Sequence, residues 1–211
     1  MSSLRHNDAG EPIPAPQSSA RDAYLDAARA CILDVGWRRT TLTEVARRAG
    51  VSRMTIYRTW PDMPALLGDL MTREWGGLVA AAQPDPRPDG APTPERIADG
   101  VLRAVRALRD NELFVRIVEL DPELILPYLL ARRGRSQELV LGILEELVAT
   151  GQRAGTVRAG EPVTVARALV LAAHGFVLSA HTMTDDDVTA AALDDELRLL
   201  LARMLRPEPA P

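Results

Sequence analysis

Residues 40–67 read TTLTEVARRAGVSRMTIYRTWPDMPALL. Thr41 followed three residues later by Glu44 is a capping box in sequence: a hydroxyl receives a free amide at the helix start and a carboxylate returns the bond. It predicts a short helix over 42–49 closed by Gly50. Ser52 opens a second short helix, which must stop near Trp60 because Pro61 drives the preceding residue out of the α conformation. Gly50 permits the turn between them, Val51 plugs its inside, and Val45, Ala46, Ala49 and Ile56 form a small apolar centre. Two short helices joined by a tight turn make a helix-turn-helix. Thr43, Arg47, Ser52, Arg53, Met54, Thr55, Tyr57, Arg58 and Thr59 are left for outward positions. Hydroxyls, guanidiniums and a phenol suit phosphates and base edges. A helix of about seven residues is about 10 Å long and fits a major groove.

Outward from this stretch the chain reads as helices. Ser19 and Asp22 cap a helix carrying Tyr24, Ala27, Cys31 and Val35 on one face and ending at Gly36. Asp62 caps a long fourth helix striped by Met63, Leu66, Leu70, Trp75 and Leu78, with Gly76-Gly77 as its weak point. Residues 83–94 form a Pro-rich loop, after which Thr93 and Pro94 start a helix striped by Ile97, Val101, Val105 and Leu108. Further helices are expected at about 112–119, 122–133, 135–153, 162–183 and 187–206. Asp185-Asp186-Asp187 reads as capping of the last one, since anions favour a helix amino terminus. No stretch alternates with period two, so the expected fold is all-α with about nine helices. Residues 1–18 have little to bury and are expected to be disordered, and 207–211 form a carboxy-terminal tail.

The 211 residues are 46% hydrophobic, 26% charged and 4% aromatic, a globular composition leaning towards helix. All 25 basic residues are Arg. The net charge of -4 is unevenly laid out: residues 20–75 carry nine Arg against seven acids, and 76–211 carry fifteen against twenty. Within 38–60, six Arg face one acid, Glu44. Such an island suggests a local anionic partner, with solvated surface arginine as the equally open alternative. Cys31 alone leaves no internal disulfide framework and points to a reducing compartment. The amino terminus lacks the apolar core of a signal peptide. The longest apolar run, 168–180, is interrupted by His174, Gly175 and Ser179 and reads as too short for a bilayer. A cytoplasmic protein without membrane contact is expected.

The 40–67 stretch resembles the DNA-binding region of TetR/AcrR-type transcriptional repressors. Thr41, Val45, Ala46, Ala49, Gly50, Val51, Ser52, Thr55, Tyr57, Trp60 and Leu66 fall on that family's pattern, and the resemblance covers roughly residues 20–70. Residues 151–158, GQRAGTVR, are similar to a turn common in the family's ligand domains. The resemblance implies that Arg53, Met54, Thr55, Tyr57, Arg58 and Thr59 face double-stranded DNA, with Thr41, Thr43 and Ser52 anchoring the backbone. Arg53 suits bidentate reading of guanine. The family's usual phosphate-contacting Lys, three residues after the aromatic, is Met63 here, and Arg58 or Arg38/Arg39 could supply the cation. The division implied is a helix-turn-helix domain over 19–63 and an effector-binding and dimerising domain over 64–206.

Other chemistry finds little support. His174 and His181 are seven apart, the wrong helical spacing for a metal pair, and no GxSxG, phosphate-cradling glycine loop or HExxH occurs. No metal, cofactor or catalytic residue is assigned. The segment 162–183 is apolar nearly all round with a small-residue stripe of Ala168, Ala172, Gly175 and Ser179, so burial on every side is expected. With 187–206 it suits a four-helix bundle made with a second copy; burial within one chain is the alternative. Leu70, Trp75, Leu102, Phe114, Ile117, Tyr128, His174 and Phe176 are candidates to line a cavity for a small apolar effector. A dimeric repressor released from a palindromic operator by that effector is the leading reading. A helix-turn-helix repressor with no small-molecule effector is the second, and an all-helical enzyme or lipid carrier the third.

Overall fold

The computed structural model describes residues 19–82 and 90–208. The tail 1–18, most of the Pro-rich loop and the last three residues lie outside them. Ten α-helices follow one another among the described residues: α1 (Ala20–Val35), α2 (Leu42–Arg48), α3 (Arg53–Thr59), α4 (Met63–Ala82), α5 (Pro94–Arg109), α6 (Glu112–Leu120), α7 (Leu126–Leu130), α8 (Arg135–Arg153), α9 (Pro162–Ser179) and α10 (Ala190–Leu205). Short 3-10 turns occupy Trp37–Arg39, Pro122–Leu124 and Ala180–Met183.

Local capping sets most of these starts. Ser19 and Asp22 form a complete capping box, Thr93 accepts from the Arg96 amide at the start of α5, and the Asp62 carboxylate accepts from Ala65 N–H at 2.8 Å. Two boundaries differ from the sequence expectation. The single helix expected over 122–133 is instead a 3-10 turn and the five-residue α7, because Pro127 has no amide to donate and is tolerated only in a first turn. The final helix begins at Ala190 rather than 187, capped by Thr189. The Asp185 carboxylate instead accepts from the amides of Asp187 and Val188, both at 2.9 Å, so the acidic triplet builds the preceding turn.

Two apolar cores result. The first gathers Leu25, Ile32, Val45, Ile56, Trp60, Leu66 and Leu70 from α1 to α4, and also takes Leu113, Phe114 and Ile117 from α6. The second joins α5, α8, α9 and α10 through Ile97, Leu102, Val148, Leu169, Leu197 and Leu201. Buried Asp194 on α10 answers two α5 guanidiniums, Arg106 at 2.6 Å and Arg109 at 2.5 Å. α4 runs unbroken through Gly76-Gly77. Gly76 is where α8 comes close, since a Cβ there would lie 3.2 Å from Leu139.

The α9 segment departs from one expectation. Counted with its 3-10 extension, Pro162–Met183 spans 22 residues and holds an 18-residue window of mean hydropathy 1.7, which is long and apolar enough to cross a membrane by length and composition. In this fold Val165, Ala166, Leu169 and Val170 enter the second core. Within one chain that burial is partial: Leu171 is 70% exposed.

The 151–158 stretch has a structural meaning. Gly151 is buried where α8 meets Val157, and a Cβ there would also lie 3.1 Å from Pro92 O. Gly155 turns the chain at φ 72°. The Arg158 amide then donates to Leu205 O at 2.9 Å and its guanidinium to Met204 O at 2.6 Å, tying the α8–α9 turn to the end of α10. Gly151→Ala should therefore overpack this corner and destabilise by about 1–3 kcal/mol. Urea denaturation at fixed protein concentration measures it, and an unchanged midpoint would show that the corner can relax.

Candidate nucleic-acid interface and ligand cavity

α2 and α3 meet around Gly50, whose φ of 69° makes the turn. The Val51 amide reaches back to Ala46 O at 3.0 Å. Thr41 accepts from Glu44 N–H at 3.2 Å, but the expected box is half-formed: the Glu44 carboxylate turns to Arg47 at 2.5 Å instead. Ser52 caps α3 by accepting from the Thr55 amide, and its Oγ lies 2.9 Å from Thr55 Oγ1. Trp60 leaves the helix in an extended conformation, φ -134° and ψ 120°, as the following Pro61 requires.

These constraints fix which side chains face outward. Ile56 alone in α3 is fully buried. Thr41, Thr43, Ser52, Arg53, Met54, Tyr57 and Arg58 are exposed, Thr55 and Thr59 half-buried, and Met54 is 76% exposed. Thr59 donates its hydroxyl to Thr55 O at 3.1 Å, a bond internal to the helix. The six arginines of 38–60 divide evenly. Arg38 is held by Glu123 at 2.7 Å, Arg47 by Glu44 and Arg48 by Asp34. Arg39, Arg53 and Arg58 have no ion pair among the described residues. Met63, at the position the resemblance gives to Lys, is half-buried against the first core.

A single carboxylate seats α3 on the rest of the molecule. Asp69 on α4 accepts the Trp60 indole N–H at 2.6 Å, the Arg21 guanidinium from α1 and the Arg135 guanidinium from the first turn of α8. Arg21 also lies over the Trp60 ring, 5.1 Å from its centroid. Burial pushes the Asp69 carboxyl up, but the hydrogen bonds from Trp60, Arg135 and Arg21 outweigh it and hold the group below its ordinary value. A hub of this kind gave no sequence signal beyond one acid on an apolar helix.

Between the two cores lies a cavity of about 540 Å³ running beside α4 from Pro64 to Ala82, within the range of small-molecule sites. Of the candidates named from sequence, Trp75, Phe114, Tyr128 and His174 line it. Leu70, Leu102, Ile117 and Phe176 do not. Leu70 and Ile117 are buried inside the first core and Leu102 inside the second, and Phe176 packs half-buried against the second. The reason is rotational: successive helix positions differ by about 100°, so Met71 faces the cavity where Leu70 cannot. Trp75 and Phe114 pack edge to face at 5.7 Å. The Trp75 indole N–H is buried without an acceptor among the described residues. Burial holds the His174 imidazole below its usual pKa, so it is neutral near pH 7. Sequence reasoning missed Arg132, Arg133 and Arg135, which also line the cavity; their spacing around Gly134 was visible only as a charge run.

Relatives agree with this geometry. A profile described as "Bacterial regulatory proteins, tetR family" matches residues 25–70. The uncharacterized HTH-type transcriptional regulator Mb2274c of Mycobacterium bovis is 34% identical over 173 residues, 82% of this chain and 87% of that protein. The R. erythropolis transcriptional repressor QsdR, from the TetR family, superposes with a TM-score of 0.63 at 19% identity, covering 93% of this chain and 100% of that one. SmeT, solved as a complex with triclosan, superposes with a TM-score of 0.57 at 21% identity, covering 92% and 100%. Fold and relatives together define a helix-turn-helix transcriptional regulator. Within that class, the chain belongs to the tetR family of bacterial regulatory proteins.

The Asp69 hub makes a signed prediction. Its lowered folded pKa means its stabilisation is present above the ordinary carboxylate range and is lost as pH falls through the folded value. Asp69→Asn should lower stability by about 1–2 kcal/mol near neutral pH, discounting the exposed Arg21 and Arg135. Urea denaturation of both proteins from neutral to acid should show that gap closing. A gap widening in acid would contradict the assignment.

Proposed function

We propose that the protein is a homodimeric repressor that holds a palindromic operator and is released when a small molecule enters the cavity. The observation that carries the DNA-binding part is the state of the arginines: Arg53 and Arg58 stand unpaired beside exposed Tyr57 on α3, while Arg38, Arg47 and Arg48 are engaged by acids. Thr41, Thr43, Ser52, Arg53, Met54, Thr55, Tyr57, Arg58 and Thr59 form the contact set, with Arg53 reading a base and the hydroxyls positioning the backbone. Arg39 and Arg58 stand in for the cation that Met63 lacks; Arg38, bound to Glu123, does not. Residues 19–63 act as the DNA-binding domain and 64–206 as the effector-binding and dimerising one. Family membership supports action in the cytoplasm as a regulator rather than an enzyme.

Dimerisation is supported by what one chain leaves uncovered. On α9, Leu171 is 70% exposed with Ala168, Ala172 and Gly175 on the same helix, and on α10 Leu200 is 50% exposed. A second copy packing α9 and α10 against their equivalents would cover them. Two recognition helices would then read half-sites about 34–36 Å apart or a multiple of it. Effector release is supported by the cavity and by SmeT, a protein of this fold that holds triclosan.

Selection of bound fragments from genomic DNA would supply the operator. Arg53→Ala and Tyr57→Phe should weaken its binding without changing folding or dimerisation, Arg53→Ala by about 1–3 kcal/mol. Affinity should fall steeply with salt as counterions are released. Wild-type affinity in both variants would remove α3 from the interface. A monomer in sedimentation at working concentration would remove the second copy.

A further inference from the structure

We propose, resting on the reading of the cavity as the effector site, that its ligand is an anionic amphiphile: an apolar chain fills the cavity, and an acidic head group takes Arg132 and Arg135, drawing Arg135 away from Asp69.

The cavity is apolar along most of its length, where Met71, Val79, Val101 and Leu144 wall it. His174 stands in that wall as a neutral imidazole, so it offers no deep cation. The guanidiniums are concentrated where α7 hands over to α8. Arg132, Arg133 and Arg135 all line the cavity there, around Gly134. This end lies against the first turns of α4, since a Cβ on Gly68 would lie 3.5 Å from the Arg135 guanidinium. Arg96, another lining residue, sits on the first turn of α5 near the far end of α8, where Thr156 donates to Pro92 O at 2.5 Å.

The three arginines are not equivalent. Arg133 is engaged by Glu138 at 2.6 Å, and Arg135 by Asp69. Arg132 has no ion pair among the described residues and lies over the Tyr128 ring, 5.2 Å from its centroid. A guanidinium stacked on an aromatic face keeps its planar fork of donors available for a carboxylate or phosphate. An apolar cavity ending on one unpaired and two paired guanidiniums suits a molecule with an acid on an apolar body. A cationic head group would be repelled.

Regulation follows from the shared partner. Asp69 holds Arg135 and the Trp60 indole on the same carboxylate. An acid that captures Arg135 therefore removes one of three donors from the group that locks the end of α3 to α4. The head group acts at the joint between the DNA-binding helices and the cavity, and the apolar chain supplies the affinity.

Calorimetric titration of the full-length protein with dodecanoate, dodecyl phosphate and dodecanol, each below its aggregation limit, tests the first part. Both anions should bind at least about tenfold more tightly than dodecanol, the size of one charge-assisted contact. The ratio between carboxylate and phosphate identifies the preferred acid. Arg132→Gln should reduce that anion advantage and leave dodecanol affinity as it was. Equal binding of dodecanol and dodecanoate to wild type overturns the head-group assignment but leaves the cavity as effector site. Binding of none of the three overturns the amphiphile itself, and operator binding then decides the regulator reading separately. The second part is read from the three tryptophan indole N–H resonances, assigned by Trp→Phe substitution at Trp37, Trp60 and Trp75. The Trp75 signal should respond to any occupant. The Trp60 signal should shift with the two anions and stay still with dodecanol. A Trp60 signal unmoved by bound dodecanoate overturns the withdrawal of Arg135 from Asp69.

Discussion

The Asp69 carboxylate is the point at which four helical elements are made to agree. It lies on α4 and takes donors from α1, from the residue that ends α3 and from the start of α8. The contributions are unequal. Arg21 and Arg135 are largely exposed, so their ion pairs are screened and individually weak. The Trp60 indole is buried, and without Asp69 its N–H would be left unpaired at the full cost of its desolvation. Trp60 is also the residue that Pro61 forces into an extended conformation. α3 is therefore stopped by a backbone rule and seated by a side-chain bond at the same position. Tyr24 adds an edge-on contact at 6.4 Å, so α1 closes the same corner.

A second fastening lies past the other end of α1, just after its C-terminus. The Asp121 carboxylate, buried at the end of α6, accepts the Trp37 amide at 3.2 Å. Arg38, the next residue along, reaches Glu123. The 3-10 turn leading into α2 is thus bolted to the turn leaving α6, and α6 contributes Leu113, Phe114 and Ile117 to the core that supports α2 and α3. Phe114 also walls the cavity, against Trp75. Both α4 and α6 consequently have one portion in the cavity wall and another in the foundation of the DNA-binding helices. That is a geometric statement about shared elements, and coupling energy has to be measured before it becomes a pathway.

What could be read from the sequence was what is decided within three or four residues. Ser19, Thr41, Ser52 and Thr93 each receive an amide three positions on, and each cap was legible for that reason. Even locally, competition defeated two readings: Glu44 preferred Arg47 to the backbone, and Thr189 capped α10 although three acids stood nearer the expected start. The face of a helix was legible, but its exact angle was not. Leu70 and Met71 are neighbours in the same core, yet only Met71 also lines the cavity. Partners distant in sequence were illegible altogether: nothing near Arg38 announces Glu123, and nothing near Asp69 announces Arg135. Those choices depend on how helices stack, which periodicity does not encode.

The stacking itself explains why the cavity lies where it does. Each core is close-packed on its own, and such interiors resist small deformations. The cavity takes its walls from both: Met71, Phe114 and Ile125 from the first, Ile97, Val105, Leu144 and Val170 from the second. It is a seam, not a defect within either core. A molecule entering a seam can change the disposition of two packed bodies while each keeps its internal contacts, whereas the same volume forced into a core would strain both side chains and backbone. The bonds that cross the seam then set the stiffness of the joint. Arg135 to Asp69 is one of them, and it is exposed, charged and borne by a side chain that also faces the cavity. Polar cross-links at a rim can exchange partners without disturbing packing on either side, which is the property the proposed coupling between the cavity and the helix-turn-helix needs.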